Sequence, residues 1–431
     1  MYNAYICKIK NIRPHPNADR LNIGECFGNS VVIGKEYDEN TLYIYFPTDG
    51  QLSEEYTTFN NLVRKKDDAG NNIGGYLDPD KRNVTAIRLR QEKSDGLVMP
   101  LSSLAYTGVE ITTLEEGFAF TAINGKEICQ KYIPRRPNRA AAGAGNRTRK
   151  KRVPVAPLFA EHADTEQLAY NLGAFRPGDE IEITLKMHGT SGRTARLPVL
   201  KGYRRTILDR IFRREGTPIY EDGYVSGTRR VVLENYEGGF YGDNMFREQH
   251  SKAFEGKLHQ GETAYYEIVA FTDTGIPIMG SGKVPKEAQD EYGKEMLFHY
   301  GLEEGSEMYL YRMTLTTPEG YVIEYSPDLL RYRAEQMGVK CVPVFEKFII
   351  PEDVEAGEYV KNKAEQYYDG PDPIGKTHVR EGVVVRIVNR PKFCAYKHKN
   401  FLFKQISGII TEQVAETAAA DTISEDILSE M

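Results

Sequence analysis

Four short strings in this 431-residue chain hold side chains that could do chemistry. In the first, the apolar alternation Ile181, Ile183, Leu185 predicts a strand that runs directly into Lys186-Met187-His188-Gly189, with Thr190, Ser191, Gly192 and Arg193 following. Such a strand ordinarily leaves a core through a Gly-rich turn and a solvated lysine; the alternative is a lysine that acts as a nucleophile. The second string is Tyr266-Glu267, running into Ile-Val-Ala-Phe271. The third is Arg380-Glu381-Gly382, followed by three valines and Arg386, and the fourth is Tyr396-Lys397-His398-Lys399-Asn400. Taken singly, each is commonplace, because lysines and glutamates are mostly solvated surface charges.

Together, and in this order, the four strings resemble motifs I, III, IV and V of the covalent nucleotidyltransferase superfamily: the ATP-dependent RNA and DNA ligases and the mRNA capping enzymes. Lys-x-His-Gly running on into Thr190-Ser191 is similar to motif I in its RNA-ligase form, where His replaces the Asp common in DNA ligases. The resemblance covers about 160–405. It implies that Lys186 takes AMP from ATP as a lysyl phosphoramidate, that His188 and Glu267 surround the ribose and the nucleophile, and that Gly189 admits the nucleotide close to the backbone. It also implies that Glu381 holds Mg²⁺ or Mn²⁺, and that Lys397 and Lys399 contact the α-phosphate, with Lys404 as a further phosphate contact. For the motif Ia arginine, Arg204 is preferred over Arg205, with Arg193 as another candidate. For the aromatic that stacks on adenine, Phe345 is the candidate, set against a plain core role. The chemistry suits these residue types. An amine attacks only when neutral, and a free lysine titrates near about 10.4. Neighbouring cations and partial burial favour the neutral amine, and the same cations stabilise a transferring phosphate.

The elements that must position these residues suggest an α+β chain. Residues 1–130 read as short strands, YICKIKNI, SVVIGKEY and NTLYIYFPTDG, separated by turn residues. The turn string His15-Pro-Asn17-Ala-Asp-Arg-Leu21 is similar to one in tRNA-binding-type OB domains, so the expectation is an N-terminal OB-type β-barrel. Residues 131–154 carry nine Lys/Arg and no acid around an Ala/Gly-rich middle, the composition of a basic linker. Residues 155–410 mix strands with helices, as expected of a nucleotidyltransferase domain of antiparallel sheets flanked by helices. Strands are predicted at 181–185, 264–271 and 383–388. A helix is predicted from the cap Ser326, through Pro327, to Gly338. An acidic tail occupies 411–431. An OB module placed first, with no room for another after Lys404, resembles the family-five RNA ligases, which join a 3′-OH to a 5′-phosphate at nicks. The segments RTILDRIFRREG (205–216) and SGTRRVVLENYEGGFYGDN (226–244) stand out beside the motifs, the first as an insertion, the second as similar to that group.

Composition excludes some classes. Hydrophobic residues make up 40% and charged residues 27%, ordinary for a globular protein. No apolar run reaches the roughly 18 residues of a membrane span, and no signal peptide is evident, so a cytoplasmic location is expected. Five scattered cysteines without a Cys-x-x-Cys pair argue for reduced thiols over a zinc site. The net charge of −6 does not announce a nucleic-acid binder, so basic charge has to be sought locally. The expected partner is RNA or an RNA-containing nicked duplex, with no obligate protein partner evident. Two competing readings remain: a non-enzymatic tRNA- or RNA-binding OB protein, and a capping guanylyltransferase.

Overall fold

Four residues, Lys186 to Gly189, carry the chain from one mainly antiparallel sheet to the next, and the fold is built around that crossing. The computed structural model describes residues 2–48, 50–66, 72–132, 153–163, 165–212, 216–229, 231–233, 236 and 245–407, which fall into two compact units within 2–132 and 153–406. Most of the basic linker, the whole acidic tail and part of 226–244 lie outside the described residues.

In the first unit the expected strands form, but they do not close on themselves. Leu97–Pro100, Leu42–Phe46, Ala4–Lys8 and Ala119–Phe120 make one sheet in that order, and Lys10–Pro14, Leu21–Cys26 and Asn29–Gly34 make a second. An OB-type β-barrel is expected here; among the described residues no sheet closes into a barrel. YICKIKNI, read as one strand, is two. Asn11 has a φ of 54° and the register shifts between Lys10 and Arg13, so the chain bends out of the first sheet into the second. Ala4, Ile6, Ile44, Phe46 and Leu52 form a fully buried core. The His15–Leu21 turn has a structural occupation. The His15 ring is 3.1 Å from the Leu89 carbonyl and accepts the Asn17 N–H, and the Asn17 amide donates to the Arg90 carbonyl at 2.9 Å.

Among its described residues the second unit holds two large sheets and a two-stranded one, Gly282–Lys283 with Glu295–Met296. The five-stranded one runs Glu166–Gln167, Cys394–Lys399, Gly382–Ile387, Glu180–Leu185, Val344–Ile349. The other large one runs Thr217–Gly227, Thr190–Arg204, Glu262–Ala270, Ser306–Thr316, Val322–Glu324, with Lys340–Cys341 pairing in parallel beside Ser306–Thr316. Alternation sets the faces. Ile181 and Ile183 point into a core with Val383, Val385 and the helix Ala356–Glu365, leaving Glu182, Thr184 and Lys186 on the opposite face. The predicted helix forms as Pro327–Met337. Ser326 caps it by accepting the Leu329 N–H, and Gly338 ends it with a φ of 67°. Leu330, Ala334 and Met337, one helical face, bury against Ile268 and Leu310 of the second sheet. No helix among the described residues is long and apolar enough to cross a membrane.

Candidate active site

Lys186 is fixed from both sides. Its N–H donates to the Gly382 carbonyl at 3.0 Å, which continues the sheet ladder one residue past Leu185. Its Nζ lies 2.9 Å from Glu381 Oε1, and the Nζ of Lys399 lies 2.9 Å from the same oxygen. His188 Nδ1 stands 3.5 Å from the other oxygen, Oε2. Glu381 is 3% exposed, and burial alone would raise its pKa. The two lysines and His188 outweigh that cost and hold the carboxyl well below its ordinary range.

Two glycines make this convergence possible. Gly189 lies so close to the strand Glu262–Ala270 that a Cβ would overlap the Ile268 carbonyl oxygen. Gly382 has a φ of 141°, and a Cβ there would overlap the His398 carbonyl. Gly382 pairs with Lys399 in the ladder, and the Asn400 N–H donates to the Glu381 carbonyl at 2.8 Å, so the third and fourth sequence strings are locked together. Behind them the Tyr300 hydroxyl accepts the His188 N–H at 2.6 Å, and the His188 ring meets Phe298 and Phe403 edge-on, each at 4.6 Å. Arg247 donates to the Ser191 carbonyl and to Thr190 Oγ1, bracing the segment that follows the crossing.

Glu267 enters from the second sheet. It pairs with Ser191, whose hydroxyl donates to Glu267 Oε2 at 3.2 Å. Burial pushes its pKa up to about 7; Lys186 opposes that rise and the charge on Glu381 adds to it. Two glutamates on different sheets thus have environments that drive their pKa values apart, one ionised and one titrating near neutrality, an arrangement that marks acid–base sites.

A cleft between the two sheets opens beside Lys186. Thr184, Lys186, Val384 and Arg386 line it from the five-stranded sheet, and Glu267 and Tyr311 from the other. His162, Arg229, Arg331 and Phe393 complete the lining. Charged groups on its walls are paired: Glu182 takes Arg331 at 2.8 Å, and Arg386 lies 3.2 Å from Glu324, which also takes Arg312 at 2.9 Å. His162 Nδ1 is 3.1 Å from Arg312, and the Arg312 guanidinium lies 4.4 Å over Phe393.

Of the residues picked out from sequence, Lys186, His188, Gly189, Glu267, Glu381 and Lys399 converge here. Lys397 lies on the same strand face as Lys399, opposite Val384 of the cleft wall. Phe345 and the motif Ia candidates Arg193, Arg204 and Arg205 do not join them. Phe345 is the extra residue of a β-bulge: Ile183 pairs with Glu346 and Thr184 with Val344, which leaves Phe345 unpaired. It stacks on Tyr367 at 5.4 Å under the Arg380 guanidinium, while Val344 lines the cleft. Arg204 pairs with Thr217 at the far end of a 15-residue strand, roughly 45 Å of extended chain from Thr190. Arg193 is 1% exposed and donates to the Thr228, Phe159 and Ala160 carbonyls, a structural tie. Sequence reading missed Tyr311, Phe393, His162 and Arg229. In MYLYRMTL the tyrosines alternate like those of any half-buried strand, and nothing local tells Tyr311 in the cleft from buried Tyr309.

No protein-family model and no curated protein matches the sequence. Solved structures do match the fold. Naegleria gruberi RNA ligase, as a lysine-to-alanine mutant with ATP and Mn, matches with a TM-score of 0.58 at 17% identity, over 95% of this chain and 99% of that one. The same ligase with PPi matches at 0.57 and 17% identity, over 93% and 97%. A lysine-to-methionine mutant of it with AMP and Mn gives 0.56 at 16%, over 93% and 98%. At this identity the likeness is one of fold, and it extends across both units of the chain.

Proposed function

We propose that this chain is an ATP-dependent RNA ligase, which joins a 3′-OH to a 5′-phosphate through a lysyl-AMP intermediate. The observation that carries the reading is the meeting of Lys186 and Lys399 on one buried carboxylate, Glu381, beside a cleft whose opposite wall presents Glu267. The fold likeness to an RNA ligase solved with ATP, AMP and pyrophosphate supports it.

In the first step the Lys186 amine leaves Glu381 and attacks the α-phosphorus of ATP. A nitrogen–phosphorus bond forms, the bond to the bridging α–β oxygen breaks, and pyrophosphate departs with the electron pair. The ammonium sheds one proton before attack and the new bond a second afterwards. Glu267, with a pKa of about 7, has the basicity to accept one of them. The adenylyl group then passes to the RNA 5′-phosphate, freeing Lys186. The 3′-OH finally attacks that phosphate and expels AMP. Lys399 and Lys397 offset charge on the phosphates, and Tyr311 and Phe393 are the aromatic side chains with which the cleft can receive a base.

The donor set suits a hard cation. Among the described residues no group of three or more His, Cys, Asp or Glu could hold a metal unaided. A site that keeps water and takes one or two carboxylates plus substrate phosphate oxygens is the usual Mg²⁺ arrangement, and buried, ionised Glu381 fits it. When bound, Mg²⁺ or Mn²⁺ supplies positive charge against the phosphates.

The test is incubation with ATP or GTP labelled at the α-phosphorus, with Mg²⁺ or Mn²⁺ and pyrophosphatase, followed by a denaturing gel. Label retained from ATP, then chased into a sealed RNA nick, is the expected result. Label only from GTP would indicate a capping enzyme, and no label from either would end the nucleotidyltransferase reading.

A further inference from the structure

The strand Thr190–Arg204 outruns its sheet. Its pairing with Glu262–Ala270 stops at Ala195, and beyond that Thr217–Gly227 is the strand that, among the described residues, continues beside it, as far as Arg204 opposite Thr217. The result is a two-stranded arm. Its base is anchored: the Leu200 N–H donates to the Val155 carbonyl at 2.8 Å, the Tyr220 hydroxyl donates to the Pro154 carbonyl at 3.0 Å, and Leu197 and Val199 pack with Ala156 and Phe159.

The tip is built to hold an unusual surface outward. Thr206 and Asp209 cap each other: the Thr206 N–H and hydroxyl donate to Asp209 Oδ2 at 2.8 and 2.6 Å, and the Asp209 N–H returns to Thr206 Oγ1 at 3.2 Å. This turn presents Ile207 and Leu208 to solvent at 77% and 63% exposure, next to exposed Lys201, Arg204 and Arg205. Asp209, the one acid in residues 201–212, is engaged in the cap. Residues 201–216 carry six Lys/Arg against two acids in a chain whose net charge is −6, so this segment is, beside the linker 131–154, a local excess of basic charge.

We propose that this arm is a polynucleotide-docking element: its cations engage the phosphate backbone, and Ile207 and Leu208 lie against exposed base or sugar faces, away from the adenylylation cleft. Phosphate affinity follows from concentrated positive charge on a protein that is otherwise negative. Exposed apolar side chains between such cations are the pairing that polynucleotide-binding surfaces use against base faces. That the polynucleotide is RNA rests on the ligase reading; the affinity for phosphate does not. Arg204, expected from the resemblance to meet ATP, finds its role at this tip.

The full-length protein, with a fluorescent nicked RNA duplex as probe, tests this by anisotropy across a salt series. Lys201→Ala/Arg205→Ala is expected to weaken binding about 10- to 100-fold at low salt and to reduce the slope of log affinity against log salt by up to about two. Ile207→Ser/Leu208→Ser is expected to weaken binding severalfold with the slope retained. Self-adenylylation from ATP stays at the wild-type level in both, since neither pair lies near Lys186. Unchanged RNA binding in both variants would overturn the proposal. So would unchanged RNA binding with loss of sedimentation on anionic-lipid vesicles, or with a shift from dimer to monomer, which would assign the surface to a membrane or to a second copy of this chain. Wild-type protein that binds RNA through the arm without self-adenylylation would support the arm and contradict the ligase reading.

Discussion

Glu381 and Glu267 are the same residue type within one site, and their surroundings drive them in opposite directions. Glu381 is buried against two lysines and stays ionised; Glu267 is buried with less compensation and holds its proton to about pH 7. The stability consequences differ in sign. For Glu267 the folded pKa lies above the ordinary 4.5, so between about pH 4.5 and 7 the folded state keeps a proton that the unfolded state has lost. Its contribution to stability therefore falls as pH rises through that window. For Glu381 the folded pKa is depressed, so its contribution is present above the ordinary carboxylate range and is lost only as pH falls toward the lowered value. Urea titrations from pH 5 to 7 should accordingly show Glu267→Gln gaining stability relative to wild type as pH rises; parallel curves would mean that Glu267 has an unperturbed carboxyl. These residues were legible in the sequence because each sits beside a local constraint that sequence displays: Lys186 at a strand end, Glu381 before a glycine, Lys399 two residues after Lys397. Arg204 and Phe345 lie apart from this convergence, and their positions depend on strand length and on a bulge, which only the paired partner strands determine.

At the scale of elements, the site is a product of close strand approach. Gly382 pairs with Lys399 at a φ of 141°, and its missing Cβ is what lets Glu381 face Lys186 and Lys399 together. Gly382→Ala should force the strands Gly382–Ile387 and Cys394–Lys399 apart at this point, abolish self-adenylylation and lower the urea midpoint; wild-type labelling in this variant would show that the convergence is not what the reaction requires. Strand and helix placement in this unit followed closely from alternation and caps. Glu180–Leu185, Glu262–Ala270, Gly382–Ile387 and Pro327–Met337 lie within about two residues of their sequence-based ranges. For the N-terminal OB-type barrel, no sheet of the described residues closes, and strand spacing alone does not reveal a bend such as that at Asn11, which sends neighbouring segments into different sheets. The His15–Leu21 turn shows the same limit. A string with a family likeness is held in place by Leu89 and Arg90, far away in sequence.

At the scale of the molecule, each unit has its own buried core, and every residue of the proposed reaction centre lies in the second. A chain beginning at residue 153 should therefore still fold and take AMP from ATP, while losing much of its capacity to seal an RNA nick. Loss of both activities in a folded truncation would mean that the first unit contributes to the adenylylation step itself. The measurement that reaches the central claim most directly is peptide mapping by mass spectrometry after incubation with ATP and Mg²⁺ or Mn²⁺. One AMP per chain is predicted, carried by the peptide containing Lys186, removed by added pyrophosphate and absent from folded Lys186→Ala. AMP on another residue, or none on a folded wild-type protein, would contradict the assignment of Lys186 as the nucleophile.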